Sequence, residues 1–528
     1  MKKSIPLAIV LLAMQLVSFA QIDNALKYAA TITAGDLKKQ LTIIAGDEME
    51  GRETGTEGQR KAAAYIEDQF KLIGLQPADT LKGYQQFYPL YQDSVVSSEL
   101  TIDGKDAEWG KDYYSQANIS ETGKFKGQKI IFAGYGIDDK NYSDYTGLDV
   151  NGKIVIFFSG EPKKDGKYLV SGINSNIEST FPGTGKKIAI AAAKGAIGAF
   201  IINTSHATFT PGIIESNNKT NVYYPRKNKD SITINHAFLS HAFAATVITN
   251  NFDTLLKIAK AGKPFEKEWA FESKVKTSFS YDKYRTTINA SNVIGLIEGS
   301  DKKDEFIFLT GHYDHLGKRD GKIYYGADDD GSGTCAVIEM AHAFAAAKAA
   351  GFGPRRTIVF MAVSGEEKGL WGSEYYSDHP VFPLEKTTAD LNTDMVGRTD
   401  TERKTDDTLN YVYVIGHDKL SSDLPVINES VNKKYTNLVL DYKFDDPNDQ
   451  NRIYYRSDHY NFARKGVPIL FFYDGMLKAD YHKPTDTIDK INWELYEKRV
   501  RMIFHTAWEI ANRDGMLKRD ILLTEGRR

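Results

Sequence analysis

In the second half of the chain, short and nearly continuous apolar runs alternate with longer stretches of helical character. An apolar run without polar interruptions is typical of a strand that is buried on both faces of a sheet. Strands that alternate with helices at this spacing favour a mainly parallel sheet with helices on both faces. We therefore expect a doubly wound α/β fold. The predicted strands are 292–297, 306–310, 357–363, 389–393, 411–415 and 468–473, and the predicted Ala-rich helix is 334–350.

Helical spacing also marks the region between residues 30 and 75. Leu37, Leu41 and Ile44 recur at the interval of one helical face, and a second periodic segment follows them. Gly74 stands directly after that second segment, where glycine often ends a helix. The polar, glycine-bearing segment 49–56 between the two predicted helices is expected to be a loop.

The region between residues 83 and 275 differs from both flanks, because short β-rich runs and turn clusters dominate it. One helix is predicted there, over 186–194, and no set of metal ligands is evident. We therefore expect an inserted β-rich module. The expected division of the chain is a signal peptide at 1–20, a first part of the main domain at 21–104, the insertion at 105–275 and the rest of the main domain at 276–528.

The first twenty residues have the pattern of a secretory signal peptide. Lys2 and Lys3 precede a mostly apolar run, and Ser18 and Ala20 place small residues where a signal peptidase cleaves. The run is shorter than the roughly 20 residues that a membrane-spanning helix needs. We expect cleavage near Ala20, no stable membrane insertion afterwards, and export to the periplasm or to the outside of the cell.

Charge and cysteine content exclude several classes of protein. The 528 residues include 67 basic and 70 acidic side chains, a net charge of −3, so no basic excess points to a nucleic-acid partner. The single cysteine, Cys335, excludes a disulfide framework and a cysteine-rich zinc finger. The oligomeric state stays open.

A residue that can bind a metal ion or move a proton follows most of the predicted strands of the second half. Another such residue lies within a glycine-rich loop. In open α/β sheets, ligands bind outside the carboxyl ends of the strands, so we expect these side chains to converge. They are His312 and Asp314, Asp329 within the loop 326–333, Glu366 and Glu367, Asp394, Asp474, and Tyr481 with His482.

Imidazoles and carboxylates without a thiolate suit Zn²⁺ or a similar divalent ion. Two histidines and three carboxylates are the inventory of a two-metal site in which one carboxylate is shared. Two-metal sites of this kind stabilise both the attacking and the leaving oxygen of a hydrolysis. A glutamate next to a ligand glutamate can serve as the general base for a water molecule.

The order of these motifs resembles the zinc exopeptidase family that contains bacterial aminopeptidases, glutamate carboxypeptidases and the transferrin receptor ectodomain. That family has His-x-Asp, a glycine-bearing aspartate loop, Glu-Glu, a later aspartate and a late histidine, in this order. The resemblance implies the zinc exopeptidase fold and two Zn²⁺ ions per chain. It assigns Asp329 as the bridging carboxylate, His312 and Asp394 to one zinc, and Glu367 and His482 to the other.

The resemblance also implies roles in catalysis. Glu366 would take a proton from the metal-bridging water, which is the nucleophile, and pass the proton to the leaving amine. Tyr481 would donate a hydrogen bond to the tetrahedral oxyanion. Asp314 would hold the His312 ring by its other nitrogen. In relatives the peptide bond after the bridging aspartate is cis, so we expect a cis bond between Asp329 and Asp330.

The insertion resembles a protease-associated domain, a module that is common within this peptidase family. The segments that carry this resemblance are 129–137, 148–155 and 194–203. In relatives the module covers the mouth of the active site. The segments 49–56 and 291–296 also resemble parts of the family that flank the insertion.

The expected function is therefore that of an exported zinc metallopeptidase that cuts peptides at a chain terminus, with aminopeptidase activity favoured over carboxypeptidase activity. A single-zinc glutaminyl cyclase of the same fold and a catalytically inactive binding protein are the alternatives. The complete set of five ligands and the Glu-Glu pair speak against both. His315 and His459 are interpreted as structural, Asp486 is either a support for the site or a turn residue, and one of Asp328 and Asp330 is expected to cap the following helix.

Overall fold

The chain folds into two compact units, one built from Met1–Pro89 and Asn289–Arg528 and the other from Leu90–Ile288. The inserted unit is therefore wider at both ends than the 105–275 expected from the sequence. The predicted signal peptide lies outside the described residues. The computed structural model describes residues 24–117, 123–127, 129–172, 183–225, 234–248, 251–266, 269, 271–273, 275–405 and 407–523.

One mixed sheet forms the centre of the first unit. Its central strands run parallel, and the strands that join them at either side are antiparallel to them. The predicted mainly parallel α/β fold is confirmed. From Thr277–Ile297 onwards, seven of the ten strands follow one another across the sheet in the order Thr277–Ile297, Arg356–Val363, Lys302–His312, Thr387–Thr393, Ile469–Tyr473, Tyr411–Ile415 and Val439–Asp441.

The sheet is covered on both faces, as its uninterrupted apolar strands predict. Ile307 and Leu309 pack on the side of the helices Gly333–Ala349 and Trp493–Asn512. Phe308, between them, points to the opposite side, where its ring lies 5.4 Å from that of Phe462. Burial of alternate residues on opposite faces fixes the register of the strand, since a slip by one residue would exchange the two faces.

The helices of this unit end and begin at recognisable caps. The side chain of Asn492 accepts a hydrogen bond from the backbone N–H of Leu495 at the start of the C-terminal helix. Gly74 ends a helix in the left-handed conformation, with φ of 82°, as predicted from the sequence. The helices are Ala34–Ile44, Glu57–Ile73, Gly333–Ala349, Trp371–Asp378, Asp423–Tyr435, His459–Ala463 and Trp493–Asn512.

The second unit has its own sheet and its own core. Four parallel strands form its centre, and side chains such as Ile156 and Phe157 alternate between two separate apolar clusters. The sequence predicted one helix here, and the described residues of this unit contain four. The additional helices are short and lack a long periodic pattern. The strands are Ile130–Phe132, Ile154–Phe158, Gly198–Ile202 and His236–Leu239, and the helices are Thr184–Ala193, Pro211–Asn217, His241–Ile248 and Phe252–Lys260.

Further strands complete the described part of the chain. Within residues 24–523, as far as they are described, no helix combines the length and the apolar character needed to cross a bilayer. The further strands are Gln85–Ile102, Lys105–Asp106, Tyr113–Tyr114, Gly123–Gly127, Asp138–Asp139, Tyr142–Ser143, Lys163–Lys164, Lys167–Tyr168, Glu272–Ser273, Lys318–Arg319 and Lys322–Ile323.

Candidate metal centre

The expected site residues meet at one edge of the sheet of the first unit. Parallel strands present their carboxyl ends on the same edge, and the loops that follow them carry the functional side chains. His312 is the last residue of its strand, Asp394 follows the strand Thr387–Thr393 directly, and Glu366 stands three residues after Val363. Side chains that are distant in sequence are therefore neighbours in space.

Three of these side chains form a first group of potential metal ligands. Nε2 of His312 lies 3.2 Å from Oδ1 of Asp329 and 3.6 Å from Oδ1 of Asp394. All three residues are buried. Nδ1 of His312 lies 3.0 Å from the backbone carbonyl oxygen of Asp314, a contact that orients the ring with Nε2 towards the carboxylates.

A second group lies on the other side of Asp329. Nε2 of His482 lies 2.9 Å from Oε2 of Glu367 and 3.3 Å from Oδ2 of Asp329. His315 joins this group, with Nδ1 2.7 Å from Oε1 of Glu367 and 3.8 Å from Oδ2 of Asp329. Sequence analysis interpreted His315 as an ordinary loop residue, so its position here is a correction.

The carboxylate of Asp329 therefore faces a different histidine with each of its oxygens: Oδ1 faces His312 and Oδ2 faces His482. The backbone N–H of Asp329 donates to Oδ2 of Asp486 at 3.1 Å, and the N–H of Asp328 donates to the same oxygen at 3.0 Å. The peptide bond between Asp329 and Asp330 is cis, as the family resemblance implied. Asp486 thus supports the turn that presents Asp329.

Two other aspartates near Asp329, namely Asp330 and Asp314, bind neighbouring backbone or side-chain groups through their carboxylates. Asp330 accepts hydrogen bonds from the backbone N–H groups of His312, Gly333 and Met395, and it thereby caps the helix that begins at Gly333. The carboxylate of Asp314 was expected to hold the His312 ring. Its Oδ1 lies 3.6 Å from Nδ1 of that ring, while the Asp314 backbone carbonyl makes the closer contact.

The Asp314 carboxylate instead binds the segment that follows the strand Arg356–Val363. It accepts hydrogen bonds from the hydroxyl of Thr54 at 2.7 Å and from the backbone N–H of Glu366 at 3.2 Å.

The Glu366 side chain points to the first group, with Oε2 3.9 Å from Nε2 of His312. Burial raises the pKa of Glu366 well above its usual range, the nearby His312 opposes this, and the charges of Glu367 and Asp394 add to it.

A small cavity opens onto this cluster. Asp329, Glu366 and Asp394 line it together with apolar side chains that include Phe471 and Leu477. Tyr481 and Arg456 also line it, and an Nη2 hydrogen of Arg456 is donated to the Tyr481 hydroxyl oxygen at 2.8 Å. The Tyr481 ring stacks on the ring of His482, with 3.8 Å between centroids.

The donor set fits a pair of divalent metal ions. Oδ2 of Asp329, Oε1 of Glu367 and both ring nitrogens of His315 are buried, and none of them has a hydrogen-bond partner among the described residues. Buried polar atoms without partners are costly to a fold, and metal ligation is one way to satisfy them. Imidazoles with carboxylates are a donor set that suits zinc.

Sequence reasoning missed two arginines as well as His315. Arg456 follows a short helical turn that no motif marks. Arg52 is fully buried, and its guanidinium donates to the backbone carbonyls of Tyr313 at 2.7 Å and Gly326 at 2.9 Å. The signal for Arg52 was its place in the loop 49–56, whereas His315 could have been inferred from its position in the same strand-end loop as His312.

The same region of the chain matches a known family. Residues 292–507 match the model of peptidase family M28. The recognition of this family from its motifs is confirmed for the matched residues, which include all five expected metal ligands. The likeness rests on the part of the first unit that carries the candidate metal centre.

Individual relatives agree with the M28 match. The chain is 28% identical over 216 residues to a protein of Arthroderma otae named "Probable leucine aminopeptidase". These aligned residues cover 40% of this chain and 55% of that protein. It is 25% identical over 423 residues to the "Glutamate carboxypeptidase 2 homolog" of Caenorhabditis elegans. These aligned residues cover 67% of this chain and 50% of that protein. The chain thus spans about half the length of the curated relatives it matches.

A solved structure shares the fold. The aminopeptidase from Aneurinibacillus sp. strain AM-1 superimposes with a TM-score of 0.50 at 18% sequence identity, over 95% of this chain and all of that one. At this level of identity, the likeness shows the fold and nothing finer.

Proposed function

We propose that this protein is a two-zinc metallopeptidase that removes residues from the amino terminus of peptides. One observation carries the proposal: the two oxygens of Asp329 face two different histidines, each of which lies beside a second carboxylate. A shared carboxylate between two such groups is the arrangement expected of a two-metal hydrolase. The printed names of the relatives and the membership of residues 292–507 in a peptidase family support the same reaction class.

His312 and Asp394 would hold one ion, Glu367 and His482 the other, and Asp329 would bridge them. When bound, the ions supply Lewis-acid polarisation of the scissile carbonyl and activation of a water molecule.

Glu366 is placed to move the protons of the reaction. Its carboxylate lies beside the first group of ligands, where it can accept a proton from a water molecule and then donate that proton to the leaving amine. Tyr481 is placed to stabilise the oxyanion. Because Arg456 already donates a hydrogen bond to the Tyr481 oxygen, the phenolic hydrogen is free to point to another acceptor in the cavity. A hydrogen-bond donor aimed at a developing oxyanion is among the larger contributions to acyl-transfer catalysis.

A carboxypeptidase is the second candidate, and Arg456 is the observation that favours it. A guanidinium in the cavity could bind the terminal carboxylate of a peptide. The aminopeptidase proposal stands first because the protein of Arthroderma otae that this chain resembles is named "Probable leucine aminopeptidase".

A panel of substrates separates the two candidates. Zinc-loaded protein should hydrolyse aminoacyl p-nitroanilides, and acetylation of their α-amino groups should abolish hydrolysis, since the ammonium charge is lost. A chelator should stop the reaction and added zinc should restore it. Equal hydrolysis of blocked substrates, or preferential release of the last residue from peptides, would contradict the aminopeptidase proposal. Activity that survives complete removal of metal would contradict the metal mechanism, and one zinc per chain would favour the cyclase alternative.

We further propose that the protein is exported and that Leu90–Ile288 is a protease-associated module. The segment of residues 1–20 and the motifs within 129–203 support these two proposals. Amino-terminal sequencing of the protein after expression in a bacterial host tests the first. A mature chain that begins near Gln21 outside the cytoplasm is expected, and retention of Met1 in the cytoplasm would contradict export.

A further inference from the structure

We propose that His315 is a direct ligand of the second metal ion, together with Asp329, Glu367 and His482. This inference rests on the proposed two-metal function and extends it. The first ion would then have three protein ligands and the second ion four, so the two positions are chemically different. The family motif that led to the five expected ligands does not include a histidine at this position.

The ring of His315 lies among the donor atoms of the second group. His315 is completely buried, and its Nδ1 lies 2.7 Å from Oε1 of Glu367 and 3.8 Å from Oδ2 of Asp329. Each of these three residues therefore offers one donor atom to the same small volume. His482 reaches the other oxygen of Glu367 and the same oxygen of Asp329.

The ring nitrogens of His315 and Oε1 of Glu367 are left unsatisfied by the protein. None of these three atoms has a hydrogen-bond partner of good geometry among the described residues, although Nδ1 and Oε1 lie 2.7 Å apart. Buried polar atoms are rarely left without a partner, and a cation bound between them would satisfy Nδ1 and Oε1 together.

The loop around His315 leaves room for its ring. Gly326 has φ of +54°, and a Cβ atom at that position would lie 2.5 Å from Cγ of His315. The ring thus occupies space that a side chain at residue 326 would take. Arg52 ties the two loops together through the carbonyls of Tyr313 and Gly326, and its own carbonyl accepts the N–H of His315 at 3.3 Å.

A supporting role for His315, as a hydrogen-bond partner that only orients Glu367, makes a different prediction. In that case two imidazoles, those of His312 and His482, would bind the two ions. If His315 is a ligand, three imidazoles would bind them. The number of imidazoles per pair of ions therefore decides between ligation and orientation, independently of catalytic activity.

X-ray absorption spectroscopy at the zinc edge of the full chain, loaded with zinc alone, measures that number. We expect three imidazoles for every two zinc ions in the unchanged protein and two in His315→Asn. The variant should also lose one of its two ions to a competing chelator at least about 100-fold more readily. Changing a residue that only orients a ligand lowers metal affinity 10–100-fold, and loss of the ligand itself should lower it by more.

His505→Asn is the matched control, because His505 is a buried histidine on the C-terminal helix that stacks on Tyr435 outside the candidate site. It should leave both the imidazole count and zinc retention unchanged. Two imidazoles per pair of ions in the unchanged protein would overturn the assignment of His315 and leave the two-metal proposal standing. Failure of the unchanged protein to bind two zinc ions would overturn both proposals. The count in the unchanged protein decides the matter even if His315→Asn does not fold.

Discussion

Glu366 and Glu367 are adjacent in the chain, and their surroundings prepare them for different tasks. Burial raises the pKa of Glu366 well above its usual range. Burial and Asp329 also act to raise the pKa of Glu367, but its contacts with His315 and His482 outweigh them and hold that pKa below the usual value. Two carboxyl groups whose pKa values are pushed apart commonly divide acid–base work from charge stabilisation. This contrast supports Glu366 as the proton carrier and Glu367 as the ligand.

Glu366→Gln tests this division. The amide keeps the shape of the side chain and cannot accept a proton, so turnover should fall at least about 100-fold, the lower range for loss of a general base. The zinc content should stay at the level of the unchanged protein, because Glu366 is not one of the proposed ligands. Glu385→Gln, a change at an exposed glutamate, is the control. A variant that retains zinc and turns over at nearly the original rate would remove Glu366 from the mechanism.

Substitutions of Tyr481 and Arg456 test how the oxyanion is stabilised. Tyr481→Phe should lower kcat by roughly 10²–10³, the effect of removing one oxyanion donor. Arg456→Gln should lower it less, and adding this change to Tyr481→Phe should cost little more, because Arg456 acts through the Tyr481 hydroxyl. The measurement is a double-mutant cycle on kcat and KM. A large, independent rise in KM in Arg456→Gln would show instead that the arginine binds the substrate directly.

At the scale of single elements, the apolar runs located five strands of the first unit within a few residues, whereas the predicted 292–297 is only the end of Thr277–Ile297. The predicted strand 411–415 coincides with Tyr411–Ile415, and the predicted 306–310 lies within Lys302–His312, whose buried residues run from Ile307 to His312. Continuous burial leaves a strong signal in the sequence because every position must be apolar. The strand Gln85–Ile102 leaves no such signal, because buried and exposed residues are mixed along it.

The helix Gly333–Ala349 carries a titratable group in its buried face. Glu339 accepts a hydrogen bond from the Gln40 side chain at 3.1 Å, and burial raises its pKa to about 7 from the usual 4.5. The folded protein therefore binds this proton more tightly than the unfolded chain does. It follows that the contribution of Glu339 to stability falls as the pH rises from 4.5 to 7.

Glu339→Gln should remove this pH dependence. The variant should be more stable than the unchanged protein at pH 8, by up to about 3 kcal/mol for the cited shift, and should show a much smaller difference at pH 4. Chemical unfolding of both proteins at the two pH values measures the difference in the free energy of unfolding. Glu385→Gln should show no such change. An equal effect of Glu339→Gln at both pH values would mean that packing, and not ionisation, decides the result.

At the scale of the whole molecule, the sequence predicted the fold class and the five residues that are expected to bind metal, and these residues lie close together in the structure, since each strand end could be identified locally. It did not predict Arg52, His315 or Arg456. Their tasks depend on which loops meet in space, and Arg52 reaches Tyr313 and Gly326 from the far end of the chain. The sequence gives no sharp signal for the bounds of the inserted unit, because the strands at both of its ends continue across the boundary.

The central claim is that one carboxylate, that of Asp329, joins two zinc ions. Diffraction from crystals of the zinc-loaded protein, recorded above and below the zinc absorption edge, tests it most directly. We predict two anomalous peaks, one beside His312 and Asp394 and the other beside Glu367 and His482, with Asp329 between them. A single peak, or peaks that lie away from Asp329, would contradict the account.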